Sequence, residues 1–389
     1  MVKSAYMKAS ALIFVVAFFI VPVGCRTRSS HADERAASLK PICQVAFAQH
    51  AVCEEANNHA LELMKAGSLE AATVIQDVST GALIAFASSS PENARDGQLA
   101  PNSPVLPLSL NKLLVAVSWW DHNQPDLVFD CVRQPDPSQP PETVKMSVKE
   151  MVVSGCDRPG REIAVALRRS IGTDVLLADL RRFGFDAHPG TSPEPDFWGE
   201  VDQTFAAHLT PALAHTTLGP KVKDKDWADA LSIGESHFVV TVLHISRFLQ
   251  AVGNGGVMSA PIARRTTTLM EQRTQPTQVT RRIMKETTAA RLQEAMREVV
   301  QRGSAQTIVD ALNGTGWQIG GKTGTGPGPA PIGPQSDGWF AGLVFDPKGK
   351  PSFTVATYVR HGGRGAGKAA SLSAEMARYL ISVSSSSAR

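Results

Sequence analysis

Strand-like segments stand at the two ends of a long folded stretch, helical patterning fills the middle, and nothing between them reads as a linker. Residues 72–78 and 82–86 flank a Ser79-Thr80-Gly81 turn, and comparable runs return only at 317–322, 339–345 and 353–359. Pro347-Lys348-Gly349-Lys350 joins the last two with good turn chemistry. The middle is helical. Residues 108–120 follow Pro107 at a helix entrance, and Ser147 with Glu150 makes a capping box before a short helix. Residues 161–171 and 174–183 stop at Gly172 and Gly184. Thr241 is placed to cap a helix ending before Gly253, and Thr288 another ending before Gly303. Residues 366–383 close the chain with an apolar stripe. Strands so far apart in sequence can share one sheet with the helices packed beside it, an α+β layout. The 389 residues would allow two or three domains, but the unbroken stretch 71–383 predicts one two-lobed domain.

Composition narrows the function classes. Lys+Arg 39 against Asp+Glu 36 leaves a net charge of +3, and aromatics are 6%, so nucleic acid is not an expected partner. Hydrophobics at 43% exclude a wholly disordered chain. Lys3 and Lys8 precede an apolar run over 11–23, broken by Pro22, which is the pattern of an export segment. Gly24-Cys25 resembles a lipoprotein processing site, Ser30-His31-Ala32 is a rival cleavage site, and an uncleaved anchor is the third reading. All three place the remainder in the cell envelope or periplasm, and the lipidated and uncleaved readings add membrane association through the N-terminus. The expected organisation is 1–25 signal or anchor, 26–70 a short N-terminal arm, and 71–385 the folded domain. Outside the cytoplasm disulfides persist. Cys43 with Cys53, and Cys131 with Cys156 across a Pro-rich stretch, are candidate bridges, with buried free thiols the alternative. No CxxC pair and no HExxH occurs, and no metal or other cofactor is expected.

Three short motifs carry chemistry. In Ser109-Leu110-Asn111-Lys112 a serine and a lysine three apart share one helix face. A desolvated lysine can take the proton that makes serine a nucleophile. Ser154-Gly155-Cys156 ends the capped helix. Lys322-Thr323-Gly324-Thr325 follows a strand, where a lysine and hydroxyls can hold a carboxylate and the glycine lets substrate backbone come close. Gly316 to Thr323 also spells a P-loop, but the Gly/Pro-rich run after it cannot start the helix that phosphate binding needs. The second glycine-rich run, 362–368, has Ala369 where the metal-binding hydroxyl belongs.

Ser-x-x-Lys, then Ser-x-Asn, then Lys-Thr-Gly, in that order, is the pattern of penicillin-binding proteins and serine β-lactamases, and this chain resembles it. Val74-Ile-Gln-Asp-Val-Ser-Thr-Gly resembles the opening hairpin of their transpeptidase domain. Ile233-Gly-Glu, Gly253-Asn-Gly-Gly-Val, Gly303-Ser-Ala and Trp339-Phe-Ala-Gly resemble segments around its active-site strand. The resemblance spans residues 71–383 and implies a β-lactamase/transpeptidase-like fold: an antiparallel sheet flanked by helices, with a helical insertion subdomain. It implies that Ser109 attacks a D-Ala-D-Ala carbonyl of a peptidoglycan stem peptide, or a β-lactam. Lys112 accepts its proton, Ser154 relays one to the leaving amine, and Lys322, Thr323, Gly324 and Thr325 hold the substrate. Cys156 departs from the pattern, since sulfur replaces an amide that would hydrogen-bond the peptide. Two rivals stay open: a class D-like serine β-lactamase with a carboxylated Lys112, and a non-catalytic penicillin-sensing or scaffold protein.

Overall fold

A computed structural model describes residues 53–89, 99–133, 138, 140–185, 215–260, 280–326 and 335–386. The export segment with Cys25, and Cys43, lie outside the described residues.

Helix α1 (Glu54–Ala66) leads into the hairpin β1 (Glu70–Gln76) and β2 (Leu83–Ser89). A tight turn at Leu108–Leu110 runs straight into α2 (Asn111–Asp121). The hairpin β3 (Phe129–Arg133) and β4 (Glu142–Met146) precedes α3 (Val148–Ser154), α4 (Asp157–Ile171) and α5 (Thr173–Arg182). Then follow β5 (His215–Thr216), α6 (Asp224–Ser232), β6 (Phe238–Val239), α7 (Val242–Gly253), β7 (Val257–Ser259), β8 (Thr280–Arg282) and α8 (Glu286–Arg302). Strands β9 (Gln318–Gly326), β10 (Asp337–Phe345) and β11 (Pro351–Arg360) and helix α9 (Lys368–Ser386) complete the order.

The strand signals from the two sequence ends meet in one five-stranded sheet, ordered β2-β1-β11-β10-β9. Every neighbouring pair in it is antiparallel. An ion pair between Glu70 and Arg360 ties the joining strands β1 and β11. All seven residues of β1 are buried, because helices cover both faces. Two threonines on β11 report those faces. Thr354 Oγ1 meets Ser246 Oγ of α7 at 2.8 Å, and Thr357 Oγ1 accepts from Ser373 Oγ of α9 at 2.8 Å. Three residues apart on a strand, they point to opposite sides, so α7 and α9 sandwich the sheet. The expected α+β layout with an antiparallel sheet is the observed one.

Local signals set several helix starts. Ser147 Oγ accepts from the Glu150 N–H at 3.2 Å, and Thr241 Oγ1 from the His244 N–H at 3.0 Å. Glu150 does not close the capping box; its carboxylate pairs with Arg302 of α8 instead. Thr288 is not a cap. Helix α8 begins at Glu286 after Lys285, and Thr288 lies buried inside it. Residues 54–66, expected within the short N-terminal arm, form α1, which buries Ala56, Ala60 and Met64. Asn57 Oδ1 accepts from the Phe86 N–H at 3.0 Å, pinning α1 to β2. Among the described residues, no helix is long and apolar enough to cross a membrane.

Candidate active site

Ser109 sits in the turn that opens α2, and the backbone before it is strained. Leu108 has φ 54, a left-handed conformation unfavourable for a side chain with a Cβ. Its N–H donates to Gly234 O at 3.2 Å. Gly234 itself must be glycine, since a Cβ there would stand 2.3 Å from Leu108 O. The segment Ile233-Gly234-Glu235 thus braces the residue before Ser109.

One helical turn later, Lys112 is fully buried. Its Nζ donates to Ser109 Oγ at 2.8 Å, as the three-residue spacing predicts. The same Nζ lies 2.7 Å from Asp157 Oδ1, a contact no local spacing suggests. Burial pulls the Lys112 amine below the ordinary lysine range; the charge and hydrogen bond of Asp157 resist this, and Arg161 adds to the lowering.

Ser154 ends α3, and Gly155 turns the chain in a left-handed conformation, φ 75. Cys156 follows, and Asp157 begins α4. Helix α4 was expected only from Arg161, and Pro159 falls in its first turn. In a first turn the missing proline N–H has no intrahelical partner to lose, so the helix starts four residues earlier. Cys156 is bridged to Cys131 of β3, with Cα atoms 6.3 Å apart, as one of the two candidate pairings anticipated. Cys53 is buried, and a Cys43–Cys53 pairing falls on a residue outside the described ones. Ser154 Oγ accepts from the Cys156 N–H at 3.3 Å and donates to Met146 Sδ at 3.4 Å.

Strand β9 is a sheet edge. It carries Lys322, Thr323, Gly324 and Thr325, and runs unbroken from 318 to 326, so the P-loop spelling at Gly316–Thr323 has no helix after it. Lys322 is buried, and its Nζ donates to Thr323 O at 3.0 Å. A Cβ at Gly155 would stand 3.4 Å from that Nζ, so the α3–α4 junction borders it. Burial pushes the Lys322 amine down to about 7, helped by the charge of Lys112 and opposed by Asp157. Thr323 Oγ1 pairs with Ser304 Oγ at 2.7 Å, and Thr325 Oγ1 accepts from the Gly365 N–H at 3.0 Å. Gly324 has the close neighbours a narrow strand edge implies: a Cβ there would meet Trp339 Cβ at 3.1 Å.

The fold therefore brings Ser109, Lys112, the Ser154 turn and Lys322 into one neighbourhood. It adds Asp157, which the sequence motifs did not single out. The chain matches the family model for the penicillin binding protein transpeptidase domain over residues 71–381. Among solved structures it is similar to penicillin binding protein 3 from Mycobacterium tuberculosis in complex with aztreonam: 21% identity, 85% of this chain and 78% of that one, TM-score 0.59. Penicillin-binding protein A from M. tuberculosis, a ceftriaxone acyl-enzyme complex, matches at 19% identity over 85% and 78% of the chains, TM-score 0.59. The transpeptidase domain of penicillin-binding protein 3 from Burkholderia pseudomallei matches at 16% identity over 86% and 96%, TM-score 0.60. Among curated proteins none matches the sequence.

Proposed function

The chain belongs to the penicillin-binding protein transpeptidase family, and from that premise we propose that it is an exported peptidoglycan D,D-transpeptidase-like acyl transferase acting through Ser109. The observation that carries the reading is the 2.8 Å contact between Lys112 Nζ and Ser109 Oγ, made by a lysine fully shielded from water. A buried amine of lowered basicity becomes neutral more readily, and a neutral amine can take the hydroxyl proton as Oγ attacks.

In this scheme Ser109 Oγ attacks the carbonyl of a terminal D-Ala-D-Ala bond or of a β-lactam, and its proton passes to Lys112 Nζ. The backbone N–H groups of Ser109 and Thr325 receive the developing oxyanion, a contribution of about 3 kcal/mol per donor. Ser154 passes a proton to the departing amine, and the C–N bond breaks to leave the acyl-enzyme. Lys322 and Thr323 hold the substrate carboxylate, and Gly324 lets the peptide backbone lie against β9. An amine acceptor then completes a cross-link, and water completes hydrolysis.

A second reading, a penicillin-sensing or scaffold protein without turnover, draws on two observations. Cys156 is locked in a bridge where an amide would meet the peptide, and Lys112 is ion-paired to Asp157 at 2.7 Å. A paired ammonium is no base until it loses its proton. Incubation with a labelled penicillin separates the readings. The acyl transferase forms a long-lived adduct that Ser109→Ala abolishes. Rapid turnover of the label points to a β-lactamase, and absence of any adduct favours the scaffold.

A further inference from the structure

Asp157 stands one residue past the place where the family pattern has Asn and this chain has Cys156. Bound into the bridge to Cys131, Cys156 can offer Lys112 only sulfur, a poor acceptor. Asp157 Oδ1 lies 2.7 Å from Lys112 Nζ, which is itself 2.8 Å from Ser109 Oγ. The Lys112 side chain is 0% exposed and that of Asp157 52%. No water reaches the amine while the carboxylate is in place, although the carboxylate itself is wet on one side.

The surrounding chain is built around this contact. Gly155 turns in the left-handed region and Cys156 is anchored to β3, so both residues before Asp157 are held. Gly160, one turn along α4, leaves room for the lysine: a Cβ there would stand 3.4 Å from Lys112 Cε and 2.9 Å from Ser232 Cβ. We infer that Asp157 is the positioning residue of Lys112: its carboxylate aims the amine at Ser109 and governs how readily that amine gives up its proton. The inference deepens the acyl-transferase reading and rests on Lys112 being the base.

The charged groups around Lys112 come from several elements. Asp157 and Arg161 lie on α4, and Lys322 on β9. Asp229 of α6 pairs with Arg161 at 2.6 Å and blunts its effect. Burial and Arg161 favour the neutral amine, whereas Asp157 favours the ammonium. The resting enzyme thus carries a brake on its own base, and the aim of the amine and its charge come from one side chain.

Asp157→Asn and Asp157→Ala separate the two effects, because Asn keeps an acceptor oxygen and loses the charge, whereas Ala loses both. The full chain is labelled with lysine carrying carbon-13 at Cε, and the Lys112 resonance, assigned by its loss in Lys112→Met, is followed against pH. In Asp157→Asn the titration midpoint should fall by about 1–2 units. The acid limb of penicillin acylation should fall with it, so that this variant acylates faster than wild type at low pH. Asp157→Ala should acylate on the order of 10- to 100-fold more slowly on its alkaline plateau, where the misaimed amine is already neutral. Thermal melts confirm that each variant folds; should the alanine variant not fold, the asparagine titration decides alone. A midpoint that stays put or rises in Asp157→Asn overturns the inference, as does wild-type acylation by a folded Asp157→Ala. A wild-type protein that takes no label overturns the acyl-transferase reading instead, and the resonance titration still decides whether Asp157 governs Lys112.

Discussion

The start of α2 and the middle of β9 each bury a lysine, Lys112 at 0% and Lys322 at 1% exposure, but they give it different company. Lys112 has a carboxylate at 2.7 Å and a serine hydroxyl at 2.8 Å. Lys322 donates to a backbone carbonyl at 3.0 Å and faces the charge of Lys112. Burial lowers both amines. Asp157 opposes the loss of the Lys112 proton through both charge and a hydrogen bond, and that of Lys322 through charge alone. An arriving carboxylate would change that balance, because a negative group beside Lys322 restores its charge. The difference teaches that depth alone does not assign the roles of buried lysines.

The contrast can be broken at its strongest point by removing the base. Lys112→Met should lower the rate of penicillin acylation by about 10²–10⁴-fold, the usual worth of a positioned general base. Stopped-flow acylation measures this, and a variant acylating at the wild-type rate would sink the role. The bridge behind Asp157 comes next. Opening Cys131–Cys156, which closes a loop of sequence separation 25, should cost about 3 kcal/mol of stability. The double variant Cys131→Ser, Cys156→Ser should also acylate more slowly, because Asp157 loses its anchor. A chemical denaturation series with and without the bridge, with acylation in parallel, checks both effects.

Lys322 offers a test with a sign. Its folded value of about 7 lies below the ordinary 10.5. Below pH 7 both folded and unfolded chains carry the proton, and the burial cost is fully present; as pH rises toward 10.5 the folded chain sheds it and stability recovers. Lys322→Met should therefore stabilise by roughly a few kcal/mol near pH 6, with the advantage fading by pH 10. The same variant should bind a carboxylate-bearing β-lactam roughly 10- to 100-fold more weakly before acylation, and should lose much less for the esterified analogue. Equal losses for acid and ester would break the assignment. The smallest effect is expected at Gly155, which borders Lys322 Nζ. Gly155→Ala should cost about 1–2 kcal/mol for the left-handed conformation, readable as a lower melting temperature, with a shifted Lys322 titration if the added methyl displaces Nζ.

Signals confined to a few neighbouring residues were legible in the sequence. Ser109 and Lys112 meet as their spacing on one helix face demands. The caps at Ser147 and Thr241, the opening hairpin and the three late strands also follow from patterns a few residues long. Other local expectations failed: Thr288 has the side chain of a cap but lies buried in α8, and α4 starts at Asp157 rather than Arg161. Helix α1 was missed because only its docking on β2 gives its apolar residues something to bury against.

By itself, then, the sequence determined the locally signalled elements and the chemical types of the site, since propensity, capping and helical spacing act within one or two turns. Only the tertiary structure decided that Asp157 meets Lys112 across 45 residues, that Cys131 pairs with Cys156, and that β9 brings Lys322 against the α3–α4 turn. Basicity in such a site depends on excluded water and on charges a few ångströms away. Neither exists until the folded chain closes around the two amines.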